Sequence, residues 1–266
     1  MSIYDDLTFY IILCVAAAML GAVFGSFLNC AAWRITHGES FIKGHSRCPK
    51  CGHELKALDL IPIFSWIFLR GKCRYCKAVI PIRYPATEAI FSLITVLCLL
   101  RFDLTVTALV NFIFLCCLFC LTITDLEDQI IPTGCVIIPA AAWVIGALLP
   151  GMAWKDVGLH VLSGVVFGGG MLLISLIMDK VLKRDSMGGG DIKLFAVMGL
   201  YLGFVQSLFA LILSCVLGLI FALVRKLVKK DSDRAFPFGP SIAVATAIML
   251  FCGEWITGWY TGLLGL

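Results

Sequence analysis

Long apolar blocks dominate this chain, and their hydrophobic residues run continuously instead of recurring at amphipathic spacing. Of its 266 residues 61% are hydrophobic and 14% are charged, and the mean hydropathy is +1.00. A helix needs about 20 apolar residues to cross a hydrocarbon layer of about 30 Å. The pattern therefore predicts an all-α polytopic membrane protein with about eight transmembrane helices. The predicted spans are 8–33, 85–101, 104–124, 133–150, 157–180, 192–204, 205–224 and 240–262. The boundary between the sixth and seventh requires a turn within 201–204.

Lys and Arg fall almost entirely on one side of these spans. If the N-terminus is outside, the segments 34–84, 180–193 and 225–234 are cytoplasmic and carry ten, four and five of them. Only Arg101 and Lys155 remain outside. Because cytoplasmic loops carry the excess of basic residues, we expect a bacterial inner-membrane topology with the N-terminus outside. The net charge of +4 reflects this topology, and we expect no nucleic-acid partner.

One polar segment interrupts the apolar pattern and divides the chain into three parts. Residues 1–33 are predicted to form the first transmembrane helix, and 34–84 a cytoplasmic insert that holds about half of the basic residues. Residues 85–266 are predicted to form the remaining helical bundle. We see no internal repeat or long linker.

The insert contains two cysteine pairs, Cys48-Pro-Lys-Cys51 and Cys73-Arg-Tyr-Cys76, separated by 21 residues. This spacing is typical of a zinc site with four thiolate ligands, in which each pair supplies two corners of a tetrahedron. Disulfides or redox chemistry are the alternatives, although a cytoplasmic loop lies in a reducing compartment. The other nine cysteines lie in or beside apolar spans, where cysteine behaves as a small hydrophobe.

A site closed by four thiolates leaves no open position for substrate, so we expect the zinc to be structural. Metal ligation would supply folding energy that a segment of about 50 residues cannot obtain from its own core. His45 and His53 lie near the cysteines in sequence. Because the four thiolates already complete the ligand set, we expect both histidines to be surface residues.

Two aspartates are placed at the same predicted edge of the membrane. Asp125 ends the third span, and Asp191 begins the sixth after three glycines. Asp191 alone could be a helix N-cap, but the helix dipole opposes a carboxylate at the C-terminal end of a helix, where Asp125 stands. Two carboxylates brought together can share a proton and activate water, as in aspartyl proteases. The bare glycine backbone would also let an extended peptide approach Asp191.

No other catalytic arrangement competes with this pair. Ser26 and Ser163 have no histidine partner in a plausible triad, and His160 falls on the outer side. The chain has no P-loop and no H-E-x-x-H motif. We therefore hypothesise a membrane aspartyl protease.

Motifs along the whole chain resemble those of the type IV prepilin peptidases. In chain order they are Gly25-Ser-Phe-Leu-Asn29 with Arg34, the two cysteine pairs, Arg83-Tyr-Pro85 with Glu88, Asp125 seven residues before Pro132, Gly188-Gly-Gly-Asp191, and Phe236-Pro-Phe-Gly-Pro240. Glu127 stands where the family commonly has a second aspartate, and Thr133 where an acidic or amide residue often follows the proline, so neither is expected to be essential.

The resemblance implies an endopeptidase that removes the short basic leader of prepilins or pseudopilins at the cytoplasmic membrane face, typically after glycine. It implies Asp125 and Asp191 as the catalytic residues. In bifunctional members, which carry the cysteine insert, the new N-terminus is methylated with S-adenosylmethionine. Nothing in the residues alone predicts that methylation. Candidate residues for it, on this resemblance, are Asn29, Arg34, Gly71 and Glu88.

Two further functions remain open from the sequence. The first is a small ion- or proton-coupled transporter with a zinc-binding regulatory loop, although transporters usually carry acidic groups near the midplane and repeated halves. The second is a non-catalytic assembly factor of a secretion machine.

Overall fold

The computed structural model describes residues 7–40, 44–149, 153–183, 186–228 and 237–264. Phe236 and most of the predicted basic segment 225–234 lie outside the described residues. The described chain is helical without strands, apart from two isolated bridges, so the all-α prediction is confirmed. The helices are α1 (Leu7–Thr36), α2 (Phe64–Phe68), α3 (Arg83–Phe102), α4 (Val106–Asp128), α5 (Gly134–Leu148), α6 (Trp154–Leu182), α7 (Gly189–Val228) and α8 (Gly239–Leu264).

Six of the described helices, α1, α3, α4, α6, α7 and α8, are long and apolar enough to cross a membrane. Helix α5 is apolar but only 15 residues long. Large apolar side chains such as Ile12, Leu93 and Leu173 are exposed on the long helices, as expected where lipid replaces a protein core. All eight predicted segments are helical, but the count of eight spans is not confirmed, because 192–204 and 205–224 both fall within α7.

Helix α7 is interrupted at Gly203, inside the segment where the sequence requires a turn. The backbone of Gly203 has φ 68° and ψ −175°, a combination that is essentially restricted to glycine. Such a break leaves carbonyl groups of the preceding turn without their helical N–H partners. Nδ1 of His160 on α6 lies 2.8 Å from the carbonyl oxygen of Leu200. The imidazole therefore satisfies a carbonyl next to the break, which is a structural role.

The chain divides into two compact units, Met1–Phe112 and Ile113–Leu266. In the first unit α1 packs on α3 through glycines that permit close approach. A Cβ at Gly21 would lie 2.8 Å from the Cα of Ser92, and one at Gly25 would lie 3.0 Å from the Cα of Glu88. Bare backbone on α1 is therefore what brings these two helices into contact.

In the second unit α7 packs on α5, α6 and α8. The α6–α7 contact again depends on small residues: a Cβ at Gly168 would lie 2.6 Å from the Cβ of Ala196, and one at Gly199 would lie 2.7 Å from the Cα of Gly164. Close backbone approach of this kind replaces the hydrophobic driving force that lipid removes. The close contact with α6 fixes the position of α7 within the second unit. It thereby also positions the first turn of α7.

Candidate functional site

The two aspartates singled out by sequence lie close together in the second unit. Asp125 is in the last turn of α4 and is 5% exposed, and Asp191 is in the first turn of α7. A Cβ placed at Gly190, the residue before Asp191, would contact Ile131, and so would one placed at Gly239, which lies beside Oδ2 of Asp125. Asp125 and Asp191 are 66 positions apart in the sequence, and α5 and α6 fold the chain back between them, so helix packing in this unit creates the pair.

The start of α8 holds Asp125 in place. The backbone N–H of Gly239 donates a 2.9 Å hydrogen bond to Oδ2 of Asp125. Because Gly239 is the first residue of α8, this N–H is one of the donors that a helix N-terminus leaves free. The N-terminal end of α8 thus offsets the unfavourable C-terminal end of α4 at this carboxylate.

Asp191 differs from Asp125 because part of its carboxylate has no partner. Its Oδ1 is buried and accepts no hydrogen bond from the part of the chain that the structure describes. Buried polar oxygens are rarely left unpaired, and one in a native structure calls for an explanation. An acceptor left free beside a second carboxylate is suited to hold a proton or a water molecule between the two groups.

The glycines before Asp191 do not share one environment. A Cβ at Gly190 would lie 2.8 Å from the Cβ of Ile131, whereas a Cβ at Gly189 would meet no atom of the described residues within 4 Å. Gly190 is therefore required by packing inside the protein. Of these two glycines, only Gly189 has the open backbone that the sequence argument assigned to the whole run.

The four predicted zinc ligands come together in the first unit. The sulfur atoms of Cys48, Cys51, Cys73 and Cys76 all lie within 4.8 Å of one another. Among the described residues this is the one group of three or more His, Cys, Asp or Glu side chains close enough to share an ion.

The two cysteine pairs have the same backbone geometry, which the sequence did not reveal. In the first pair Cys48 N–H bonds to the carbonyl of His53, and Gly52 N–H bonds back to Cys48; the second pair repeats this pattern at the same spacing. We call each cysteine pair with its turn a knuckle. An isolated β-bridge flanks each knuckle and joins Arg47 to Glu54 in the first and Lys72 to Val79 in the second. A tight turn follows each pair, with φ 69° at Gly52 and 61° at Lys77.

The thiol cluster has the dimensions and chemistry of a metal site. A tetrahedral zinc with Zn–S bonds of about 2.3 Å separates its sulfurs by about 3.8 Å, and the sulfurs of Cys48 and Cys76 are 3.8 Å apart. The backbone N–H of Cys51 lowers the pKa of Cys48 to about 7, against the opposing effect of burial. The N–H of Ala78 acts in the same sense on Cys76, but burial and the neighbouring thiols outweigh it and raise that pKa to about 11. A cation is needed to hold all four as thiolates.

Asp59 anchors the second knuckle and was not identified from the sequence. Its carboxylate accepts hydrogen bonds from Arg74 at 2.6 Å and from the Tyr75 hydroxyl at 3.0 Å. Burial raises the pKa of Asp59, but these hydrogen bonds outweigh it and hold the pKa below its usual value. Neither nearby histidine joins the thiols: His53 packs on the Tyr75 ring, and His45 lies 3.1 Å from a carboxylate oxygen of Glu54.

The four methylation candidates all lie in the first unit. Asn29 on α1 donates to the hydroxyl of Thr87 on α3 and to the carbonyl of Gly25. Its Oδ1 is buried and has no hydrogen-bond partner in the described ranges of the chain. Glu88 on α3 is 8% exposed, and its Oε2 accepts a 2.7 Å hydrogen bond from the backbone N–H of Ile63.

The remaining two candidates lie within the insert or beside it. The Arg34 side chain is buried and donates to the carbonyl of Ser40. Gly71 has φ 68°, and a Cβ there would lie 2.9 Å from the Trp66 ring. Gly71 and Glu88 thus have structural explanations that do not involve a ligand.

The structure thus defines a helical membrane protein with two aspartates paired at helix ends. Residues 19–102 match the model of the Bacterial Peptidase A24 N-terminal domain, and residues 112–223 match that of the Type IV leader peptidase family. The chain belongs to the type IV leader peptidase family, as the resemblance predicted.

Similar proteins from several bacteria bear the name "Prepilin leader peptidase/N-methyltransferase". The one from Aeromonas salmonicida (strain A449) is 33% identical over 222 residues, which is 81% of this chain and 74% of that protein. The one from Pseudomonas putida is 30% identical, and the match covers 94% of this chain and 94% of that protein. The one from Bacillus subtilis (strain 168) is also 30% identical, and the match covers 91% of this chain and 95% of that protein. No solved structure matches. These similarities do not favour the transporter hypothesis.

Proposed function

We propose that this protein is a membrane aspartyl endopeptidase whose catalytic pair is Asp125 and Asp191. The observation that carries the proposal is the asymmetric pair itself. Asp125 is fixed by the Gly239 N–H, while Asp191 presents a buried oxygen that has no hydrogen-bond partner among the described residues. Membrane-embedded acidic groups are usually functional, and family membership is consistent with peptide hydrolysis.

The chemistry follows from two carboxylates that share one proton. The ionised member accepts a proton from a water molecule as that water attacks the scissile carbonyl carbon. The protonated member donates to the carbonyl oxygen, so that no full charge develops there. Proton return to the leaving amine then completes cleavage and regenerates the pair.

The substrate we infer is a prepilin or pseudopilin with a short basic leader, cleaved at the cytoplasmic face of the bacterial inner membrane. Asp128 and Glu127 add negative charge next to Asp125, and no Lys or Arg lies between 125 and 132. Such a one-sided charge attracts a basic segment. The open backbone at Gly189 offers an extended peptide access to the pair.

The four cysteines would hold a structural Zn²⁺. Their mutual distances fit a tetrahedron, and four protein ligands leave no position for water or substrate. The metal would stabilise the insert by joining the two cysteine pairs through its four ligands.

The protein would also methylate the new N-terminal amine with S-adenosylmethionine as methyl donor. Asn29, Arg34, Gly71 and Glu88 are the candidate residues for this activity. Asn29 is the best supported by an observation of its own, because its buried Oδ1 lacks a partner. S-adenosylmethionine supplies the methyl group; the residues of this chain would orient the amine and the donor.

Mass spectrometry of a prepilin incubated with the purified protein tests both activities. We expect loss of the leader without S-adenosylmethionine, and the same product carrying one added methyl group when it is present. The Asn29→Ala, Arg34→Ala and Glu88→Gln variants should cleave normally but methylate less. Absence of cleavage would overturn the peptidase assignment, and full methylation by all three variants would remove the candidate residues. Gly71→Ala is a less informative variant, because its clash with Trp66 would disturb the insert directly.

A further inference from the structure

Ile131 is the apolar side chain that packs next to the aspartate pair. Its Cβ would lie 2.8 Å from a Cβ placed at Gly190, the residue before Asp191. Its Cδ1 would lie 3.4 Å from a Cβ placed at Gly239, the residue whose N–H holds Asp125. One side chain therefore spans the two glycines that flank the two carboxylates.

This packing explains why both of those positions are glycine. A Cβ at Gly239 would also lie 2.7 Å from Oδ2 of Asp125, so any larger residue there would displace the carboxylate. At Gly190 the obstacle is the branched Cβ of Ile131, which has little freedom to rotate away. The space where a side chain would begin at Gly190 or Gly239 is thus already occupied by Ile131 and Asp125.

Ile131 is held in place by its short connection between α4 and α5. Gln129, the residue after α4, is in the left-handed conformation with φ 56°, and its N–H bonds to the carbonyl of Asp125. Pro132 follows Ile131 and disfavours the helical conformation for the residue before it. The carbonyl of Pro132 accepts the N–H of Cys135 at the start of α5. The backbone therefore holds Ile131 in a fixed position close to the end of α4 that carries Asp125. We call the surface of its side chain the Ile131 wall.

We propose that Ile131 is a specificity-determining residue, which limits the size of the substrate residue that precedes the scissile bond. This inference rests on the proposed peptidase function. A peptide whose carbonyl lies between the two aspartates must place the adjoining side chain against the surface that Ile131 forms. A glycine fits beside this wall, whereas a methyl group or anything larger meets Cδ1 of Ile131.

The test compares two prepilins that differ only in having Gly or Ala before the scissile bond. The wild type should cleave the Gly substrate with a kcat/KM at least roughly tenfold above that of the Ala substrate, since one methyl group in a tight site changes rates by about 10- to 200-fold. Ile131→Ala should reduce this ratio by about tenfold. Ile131→Val, which keeps the branched Cβ but lacks Cδ1, should fall between the two.

Ile130→Ala is the matched control, because Ile130 is the neighbouring isoleucine of the same connection and is 49% exposed. The ratio of Gly to Ala cleavage should stay at the wild-type value in this variant. A series with the residue after the scissile bond varied should show the same preferences in wild type and Ile131→Ala.

An unchanged Gly-to-Ala ratio in Ile131→Ala would overturn the proposal, as would an equal change in Ile130→Ala. If Ile131→Ala does not fold or cleaves neither substrate, Ile131→Val takes its place in the test. A Gly-to-Ala ratio equal to that of the wild type in Ile131→Val would then overturn the proposal. A wild type that cleaves Gly and Ala substrates equally well would overturn the wall while leaving the peptidase assignment intact. Failure of the wild type on both substrates would instead overturn the proposed function and the wall with it.

Discussion

The cysteine insert and the aspartate pair bring polar groups together by opposite means. In the insert the four sulfurs come from two short knuckles, each closed by its own backbone hydrogen bonds. At the aspartates the groups come from the end of α4, the start of α7 and the start of α8, and Gly239 lies 114 residues from the carboxylate it holds. The first site is built by local turns, and the second by helix packing.

This difference in how the two sites are assembled predicts which substitutions should damage each of them. A knuckle depends on its ligands and on the ion that joins them. Loss of one thiol should therefore destabilise the insert. The pair depends on helices whose close approach requires glycine, so a single methyl group far from the aspartates should weaken the bundle. Variants of single residues in each region distinguish these two modes of assembly.

Replacing Asp125 or Asp191 by Asn should reduce prepilin cleavage by roughly 10²- to 10⁴-fold, because each carboxylate carries half of the acid–base cycle. Zinc content should equal that of the wild type, since the insert is closed by its own ligands. Cleavage assays and metal analysis on the same preparations check both parts. Near wild-type turnover by either variant would mean that the pair is not catalytic.

Serine at Cys48, Cys51, Cys73 or Cys76 should release most of the bound zinc, since a structural site with four thiolates depends on each of them. Metal analysis of detergent-purified protein measures this loss. Cys116→Ser is the control, because Cys116 lies within α4 and belongs to no cluster of potential ligands. Full zinc occupancy in the four single variants would show that the pairs do not form one site.

Gly168→Ala should lower the stability of the second unit by about 1–3 kcal/mol, a typical penalty for overpacking. Its Cβ would lie 2.6 Å from the Cβ of Ala196. Thermal unfolding in detergent measures the change.

Gly169→Ala is the matched control on the same helix, because a Cβ there meets nothing within 4 Å. It should be neutral or stabilising by about 0.5–1 kcal/mol, since alanine loses less conformational freedom than glycine. Equal effects of the two variants would argue against the close α6–α7 contact.

Asp59→Asn should destabilise the zinc-loaded insert by only about 1 kcal/mol. The charged partner, Arg74, has a side chain that is 48% exposed, so solvent screens much of the attraction. Zinc release by a competing chelator should be slightly faster in this variant than in wild type. A loss of zinc as large as that of the cysteine variants would mean that Asp59 has a larger role than anchoring one knuckle.

Much of the fold could be predicted because apolar length and cysteine spacing are local signals. Every predicted span is helical, and the turn required at 201–204 is the Gly203 break. The number of membrane crossings could not be predicted with the same certainty. It depends on how α7 continues after Gly203, and hydropathy does not contain that information.

The aspartate site could be predicted only in part, because some of its contacts depend on helix packing and not on local sequence signals. Asp125 and Asp191 could be paired from their position at one membrane edge, but the Gly239 hydrogen bond and the packing of Ile131 depend on where α8 begins. The sequence alone predicts no role for the Phe236-Pro-Phe-Gly-Pro240 motif. Its glycine is the first residue of α8, and a sequence-based search for free N–H groups at helix starts would have identified it.

The most direct test of the paired aspartates is the double variant measured beside the two single ones. Groups that act as one unit are strongly non-additive, so removal of both should reduce kcat hardly more than removal of one. We therefore expect Asp125→Asn, Asp191→Asn and the double variant to cleave a prepilin at similar, residual rates. Independent losses that multiply in the double variant would contradict a shared acid–base pair.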